Sequence, residues 1–208
     1  MIGVNVDLTD LLAAQEHQAF LLEELNHRVK NTLAVVQSLA KQTFRAGADV
    51  NAAREIFDER LRALAGAHTL LTRSNWESAP LQDVVEQAIR ACGDARVRVS
   101  YAGPEILLDP KQALSVAMAL HELCTNAAKH GALCRGAGRI QLTWRVQESE
   151  LQLEWREHDG PPVVQPARKG FGSTLLERIL PRDVGGSGML DFSPGGVVYR
   201  LTFPTSAR

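Results

Sequence analysis

The 208-residue sequence has almost no net charge, few cysteines and no long apolar run. Its formal net charge of -1 argues against the strong positive field with which proteins collect nucleic acid or anionic membrane. No stretch approaches the roughly 20 apolar residues of a membrane-spanning helix, and the N-terminus has no basic-then-apolar signal pattern. The three cysteines are odd in number and lack metal-ligand spacing, which predicts a reduced, cytoplasmic setting.

The sequence also lacks a Gly-x-x-x-x-Gly-Lys-Ser/Thr loop, which argues against a P-loop nucleotide-binding protein. A different glycine-rich turn is present at 169–174, with the sequence Lys-Gly-Phe-Gly-Ser-Thr. Its glycines permit close backbone approach, and the start of the helix predicted after it presents free N–H groups to anionic oxygen. Taken alone, this turn could equally be a plain helix start.

His27 lies in a segment whose apolar residues recur every three or four positions, which predicts an amphipathic helix. The members of this apolar seam are Leu22, Leu25, Val29, Leu33, Val36 and Ala40. At about 100° per residue, His27 points almost directly away from the seam. With the cations Arg28 and Lys30 beside it, an outward imidazole is suited to phosphoryl chemistry. A lone surface histidine is more often simply solvated, so this interpretation depends on a nucleotide site elsewhere.

A second polar stripe lies in the segment 121–131, which has the sequence His-Glu-Leu-Cys-Thr-Asn-Ala-Ala-Lys-His-Gly. Helical spacing puts Glu122, Asn126 and Lys129 on one face, with His130 at its edge. Leu120, Cys124 and Ala127 fall on the opposite face, as core. An amide oxygen can bind Mg²⁺, an ammonium can neutralise phosphate, and a carboxylate can accept a proton. The alternative is a solvated polar stripe with no ligand.

Together the two segments resemble the phosphoacceptor box and the N box of sensor histidine kinases. The resemblance is closer to the HWE family, which is named for a histidine in its N box and a Trp-x-Glu motif. His121 matches the first, and Trp155-Arg156-Glu157 matches the second. The acceptor histidine, N box, Trp-x-Glu and glycine-rich turn follow in the family's order from about residue 21 to residue 172. The resemblance implies an ATP- and Mg²⁺-dependent histidine kinase core.

The resemblance also implies roles for individual residues. His27 would accept the γ-phosphoryl group of ATP and pass it to an Asp on the receiver domain of a response regulator, which would dock around Ala34. Glu122 would be the catalytic base, and Asn126 would hold Mg²⁺. The remaining nucleotide contacts would be Lys129, His130, Gly160, Gly170, Gly172, Ser173 and Thr174. The family usually has Gly-Gly after Trp-x-Glu-x, whereas this chain has Asp159-Gly160, so either Glu157 or Asp159 would contact adenine.

The implied fold class is α+β and multidomain. Residues 1–10 resemble the last strand and Asp-x-Thr exit of a PAS-type domain, which predicts a sensory domain upstream. Residues 11–72 predict a dimerisation and phosphotransfer hairpin, with helices ending near Phe44 and spanning 52–71. Residues 73–208 predict a catalytic ATP-binding domain, an α/β sandwich of the histidine-kinase type.

The hairpin leaves an apolar edge that a second copy would cover, forming a four-helix bundle in a homodimer. Leu61, Leu64 and Leu71 would add to that edge from the second helix. The competing outcome is a monomer in which the α/β domain folds back over it. His68, also in the second helix, lacks the neighbours of His27 and is interpreted as structural.

In the α/β region the patterns predict helices at 81–92, from 110 through the N box, and at 172–180. Strands are predicted at 97–101, 139–146 and 151–156, followed by a closing hairpin of 189–192 and 197–203. The sheet should be mixed and largely antiparallel.

Two other functions remain open from the sequence. The chain could be a phosphotransfer scaffold that keeps His27 but has a vestigial ATP domain, which a nucleotide titration would reveal. It could also be an ATPase or a Ser/Thr kinase of the same superfamily, which acid-labile, base-stable phosphate on the protein would exclude.

Overall fold

The structure, a computed structural model, describes residues 18, 22–23, 26, 29–30, 32–37, 39–41, 43–44, 50–73, 76–163 and 171–205. The chain divides into two compact units, of which the first ends at Phe57 and the second runs from Asp58 to Arg208. This division falls inside helix α1 (Val50–Arg73). The functional domains predicted from the sequence, 11–72 and 73–208, meet at the end of that helix instead, and this assignment stays a prediction.

In the first unit, the described residues from 18 to 43 are all helical, in agreement with the predicted first helix. Leu22, Val29 and Leu33 of the apolar seam are each about half exposed, whereas Leu39 is buried. The rings of Phe44 and Phe57 contact each other with centroids 5.5 Å apart. His27, Arg28 and Leu25, like the PAS-like residues 1–10, lie outside the described residues.

The predicted dimer edge on the second helix needs correction. Leu64 and Leu71 are buried within the single chain, with exposed fractions of 4% and 0%. They are therefore not available to a second copy. Leu61 is partly exposed, and the exposed apolar residues among the described part of the predicted edge are Leu22, Val29 and Leu33 of the first helix.

The second unit continues from α1 into an α/β domain. Its helices are α2 (Leu81–Ala88), α3 (Pro110–Lys129), α4 (Phe171–Thr174) and α5 (Leu180–Asp183), with 3₁₀ segments at Ile89–Arg98 and Ala132–Cys134 and a π-helical segment at Leu175–Ile179. Its strands are β1 (Ala79–Pro80), β2 (Val99–Ala102), β3 (Leu107–Leu108), β4 (Arg139–Gln147), β5 (Glu150–His158), β6 (Ser187–Ser193) and β7 (Gly196–Pro204).

The main sheet has five strands in the order β2-β4-β5-β7-β6. Only β2 and β4 are parallel, and the other neighbours pair antiparallel. The predicted mixed, largely antiparallel sheet is therefore confirmed. A separate two-stranded ladder joins β1 to β3. It was not predicted, because two residues are too few to show an alternating pattern.

Alternation along β5 explains which side chains face the core. Leu151, Leu153, Trp155 and Glu157 are buried, and the residues between them are more exposed. Successive side chains of a strand point to opposite faces, so Glu157 shares the core-facing side with Trp155. Trp155 is fully buried and therefore belongs to the core.

Helix α3 begins where the sequence predicts, at Asp109-Pro110. The Asp109 carboxylate accepts from the backbone N–H of Gln112 at 2.8 Å, and the Gln112 side chain accepts from the N–H of Asp109 at 3.1 Å. Such a capping box satisfies two N–H groups that the first turn leaves unpaired, and Pro110 fits the first helical position. A helix cap typically contributes about 1 kcal/mol. Local sequence therefore fixes the start of the helix that carries the N box.

Two predicted helices differ from those observed. The helix predicted at 81–92 ends at Ala88 and continues as a 3₁₀ segment that is interrupted at Gly93, where φ is 59°. The helix predicted at 172–180 changes to π geometry at Leu175. There the buried Tyr199 hydroxyl donates to the Leu176 carbonyl at 2.9 Å. No helix among the described residues is both long and apolar enough to cross a membrane.

Candidate nucleotide site

A cavity of about 370 Å³ opens where the end of α3, the end of β5 and the start of α4 meet. Its polar lining comes from Asn126, His130, Glu157 and Ser173, with Gly131 and Gly172 exposing backbone. The rest of the wall is apolar and consists of Leu123, Pro162, Val163, Leu176, Leu190, Phe192 and Val197. An apolar cleft with a few convergent polar groups is the usual form of a small-molecule site.

Glu157 is a buried carboxylate in the wall of this cavity. Its Oε2 accepts from the backbone N–H of Ala132 at 2.7 Å, and its Oε1 lies 3.5 Å from Trp155 Nε1. Burial raises the pKa of Glu157, against the opposing effect of these two donors. A Cβ at Gly131 would collide with Glu157 Oε2, so glycine allows the turn after α3 to reach the carboxylate.

Asp159, the alternative adenine contact, lies outside the cavity lining. Its exposed carboxylate pairs with Arg139 at 3.0 Å, and its φ of 55° places it in the turn beyond β5. Gly160 follows with its Cα close to Ala132, since a Cβ there would lie 2.8 Å from Ala132 Cα. Of the two carboxylates, Glu157 lines the cavity and Asp159 does not.

Asn126 and Gly172 approach each other across the cavity. A Cβ built on Gly172 would lie 3.3 Å from both Asn126 Nδ2 and Glu122 Oε2. The glycine-rich turn thus reaches the polar stripe of α3. Ser173 lines the cavity and Thr174 does not, whereas Gly170 lies outside the described residues.

Glu122 does not lie on a solvated face, contrary to the alternative kept open from the sequence. It is buried and accepts two hydrogen bonds from the buried Arg60 of α1. Lys129 is more exposed and pairs with Glu59 at 2.9 Å. Neither Glu122 nor Lys129 lines the cavity in this arrangement.

The two histidines of the N box have different surroundings. His130 is exposed and lines the cavity. His121 is buried, and it lines a separate cavity with Glu59, Arg62 and Thr125. Burial lowers the pKa of His121, although Glu122 and Glu59 oppose this effect, and its Nε2 has no hydrogen-bond partner among the described residues. His121 therefore faces away from the candidate nucleotide site.

Several site residues were not predicted from the sequence. Gly131 could have been found, because a glycine directly after a polar helical stripe often marks a close backbone approach. The apolar wall from Leu190, Phe192 and Val197 depends on strand pairing far from the motifs. Arg60 is separated from Glu122 by 62 residues, and no local pattern links them.

Comparison with known sequences identifies the family. Residues 24–105 match the HWE histidine kinases, and residues 85–190, just over half of the chain, match the histidine kinase-like ATPase domain. The chain belongs to the histidine kinase-like ATPase domain family. The resemblance to the HWE branch is confirmed by the match of its N-terminal part.

Individual relatives agree with this assignment. A blue-light-activated histidine kinase of Brucella anthropi is 36% identical over 214 residues, which cover 100% of this chain and 43% of the relative. Its counterpart in Brucella ovis is 34% identical over 209 residues, covering 98% and 43%. The chain therefore spans less than half the length of these relatives.

Solved structures show the same fold. The histidine kinase domain of a blue-light-activated histidine kinase from Erythrobacter litoralis matches with a TM-score of 0.60 at 16% identity, covering 85% of this chain and 95% of that one. A longer structure of the kinase matches with a TM-score of 0.64 at 19% identity, covering 99% and 62%. The predicted α+β fold, a helical region followed by a histidine-kinase-type α/β domain, is confirmed.

Proposed function

We propose that this chain is the core of a sensor histidine kinase. It binds ATP in the cavity between α3, β5 and α4 and transfers the γ-phosphoryl group to His27, which then passes it to an Asp on a response regulator. The supporting observation is the convergence of Asn126, Glu157 and the Gly172–Ser173 backbone on one cavity. These are the groups that adenine, a metal ion and phosphate require, and they come from three separate motifs.

Each end of the cavity suits one part of the nucleotide. Glu157 is the adenine-binding group, because its carboxylate can accept the exocyclic amine and the apolar wall covers the ring. Gly172 and Ser173 lie where phosphate oxygens would reach their backbone, opposite Asn126. The Asn126 amide would hold Mg²⁺, a hard cation that takes oxygen ligands from one or two side chains and the phosphates. Bound Mg²⁺ would neutralise charge on the transferring phosphoryl group.

His27 is the proposed acceptor, and Glu122 is the proposed base for its proton. An unperturbed imidazole titrates near ~6.5, so it is mostly neutral and nucleophilic at neutral pH. Phosphoryl transfer depends mainly on positioning and charge neutralisation, to which Lys129 would contribute. Incubation of the chain with labelled ATP tests the function. Acid-labile, base-stable label is the expected result, and acid-stable label would favour a Ser/Thr kinase.

Partners follow from the same proposal. The receiver domain of a response regulator would dock around the small, exposed Ala34 and accept the phosphoryl group from the phosphohistidine. A PAS-type sensory domain would precede residue 11 in the complete protein and control the kinase. The hairpin of residues 11–72 would then carry the signal to the ATP-binding domain, residues 73–208.

We predict a homodimer through the first helix. Leu22, Val29 and Leu33 are half exposed there, and a two-fold axis would let the same apolar residues of two copies cover each other. Light scattering should give twice the chain mass of 22.8 kDa, and Leu33→Glu should reduce it. Val97→Glu is the matched control, since Val97 is 84% exposed in the other unit. A wild-type mass near that of one chain contradicts the dimer.

Nucleotide affinity should fall at acidic pH because of Glu157. A proton and the adenine amine compete for the same carboxylate, and burial raises the pKa of Glu157. The affinity should therefore decrease as the pH is lowered through this raised pKa, at a higher pH than an ordinary glutamate would cause. Titration with a non-hydrolysable ATP analogue from about pH 8 to about pH 5 measures the effect.

Glu157→Gln separates this effect from titration of the nucleotide phosphates, which is common to both proteins. The variant should bind the ATP analogue about tenfold more weakly at neutral pH. Its amide NH₂ would face the adenine amine, and two hydrogen-bond donors cannot pair with each other. Its remaining affinity should depend less on pH than that of the wild type. Parallel pH profiles for the two proteins would assign Glu157 to holding the Gly131–Ala132 turn alone.

A further inference from the structure

Two consecutive residues of α1 pair with the two charged residues of the N-box stripe. Arg60 Nε donates to Glu122 Oε1 at 2.6 Å, and Arg60 Nη2 donates to Glu122 Oε2 at 3.2 Å. Lys129 Nζ donates to Glu59 Oε2 at 2.9 Å. All four residues belong to the unit that begins at Asp58. Glu122 and Lys129 are the proposed base and the proposed phosphate-binding cation. Both are thus paired with α1, the second helix of the predicted phosphotransfer hairpin.

We propose that Glu59 and Arg60 are positioning residues that withhold Lys129 and Glu122 from the nucleotide until α1 shifts. We call these two ion pairs the α1 clasp. The inference rests on the proposed function, because it concerns residues to which that function assigns roles. It adds that the described arrangement is a resting state, and that release of the clasp is a step in activation.

The buried pair holds the Glu122 carboxylate against α1. Both of its oxygens accept hydrogen bonds from Arg60, and the two side chains are only 7% and 6% exposed. Separation of a buried ion pair is strongly unfavourable, so Glu122 stays with Arg60 as long as α1 keeps this position. Glu122 can therefore turn toward a bound nucleotide only after Arg60 withdraws. Its Oε2 would lie 3.3 Å from a Cβ built on Gly172, so a released carboxylate would face the phosphate end of the cavity.

The exposed pair is the weaker half of the clasp. The side chains of Lys129 and Glu59 are 48% and 32% exposed, and water screens such pairs. Phosphate oxygens can therefore compete with Glu59 for Lys129 at small cost. This difference predicts two separable effects: breaking the exposed pair should change nucleotide affinity, and loosening the buried pair should change the rate of phosphoryl transfer.

Two variants of the full chain test the clasp. Glu59→Gln frees Lys129 and should tighten binding of Mg²⁺·ATP by at most about fivefold, without changing the labelling rate at saturating ATP. Arg60→Lys keeps a cation but loses the two-pronged contact, and it should raise that rate by about tenfold with little change in affinity. Glu55→Gln is the matched control, an exposed carboxylate one turn earlier in α1, and should change neither.

Further measurements separate this effect from simple loosening of the fold. Thermal unfolding identifies any loss of stability in Arg60→Lys, and Glu59→Gln tests the clasp without disturbing a buried site. Addition of Glu122→Gln to Arg60→Lys should abolish the gain in rate, because the gain depends on the released carboxylate. A merely structural Arg60 would lower the unfolding temperature without raising the rate.

The outcomes distinguish the clasp from the proposed function. If the wild type binds ATP and is labelled but neither variant shows a gain, the clasp is overturned and the kinase function remains in place. A lower labelling rate in Arg60→Lys has the same meaning. ATP binding by the variants but not by the wild type supports the clasp. No ATP binding by any of them overturns the proposed function and the clasp together.

Discussion

Replacement of His27 by alanine is expected to abolish the incorporation of phosphate from ATP while leaving nucleotide affinity unchanged. The helical pattern places His27 opposite the apolar seam, so its removal should create no core cavity, and alanine is the strongest helix former. Radiolabel on the protein and titration with an ATP analogue measure the two effects. The chain contains five other histidines, so loss of all label in this single variant would identify the acceptor.

His68→Ala is the control for this experiment. The His68 ring contacts Trp76 edge-on with centroids 4.5 Å apart, which agrees with its predicted structural role. Its removal should lower the free energy of unfolding by about 1 kcal/mol and leave the label intact. Label that persists in His27→Ala would contradict the proposed acceptor, and His130, exposed at the cavity, would be the next candidate to test.

Most of the fold could be predicted because its signals are local. Alternation in β4 and β5 and the Asp109-Pro110 helix start each depend on a few neighbouring residues. The π-helical segment at Leu175–Ile179 could not be predicted in this way. Its Leu176 carbonyl accepts from Tyr199, a residue of a distant strand, and only the folded chain brings the two together.

The candidate site was predictable to a similar extent. Helical spacing placed Asn126 on the polar face of its helix, and Asn126 lines the cavity. Alternation alone would put Glu157 and Asp159 on the same face of a strand, but β5 ends at His158 and Asp159 lies in the turn beyond it, so Glu157 lies in the cavity wall and Asp159 does not. The same spacing put Glu122 and Lys129 on the polar side of the helix but did not indicate what covers them. Their pairing with Arg60 and Glu59 is a long-range contact of α1. Periodicity identifies the face on which a residue lies and not the partner that it meets there.

Asn126→Ala is expected to remove the Mg²⁺-dependent part of ATP binding. Asn126 is exposed at the cavity, and its amide lies opposite Gly172, where the phosphates would sit. Loss of groups that only support a metal ligand typically costs about 10- to 100-fold in metal affinity, so loss of the ligand itself should cost at least about 100-fold. Titration with Mg²⁺·ATP and with ATP plus a chelator measures the two contributions separately.

The titration of ATP in the presence of the chelator is the internal control for Asn126→Ala. Without Mg²⁺, wild type and variant should bind ATP equally, because Glu157 and the apolar wall are unchanged. Thr125→Ala is the neighbouring control, since the Thr125 hydroxyl donates to the Glu122 carbonyl of its own helix and Thr125 lines the other cavity. That variant should keep the full Mg²⁺ effect. If Asn126→Ala also keeps it, the metal is held elsewhere, and the role assigned to the polar stripe of α3 is wrong.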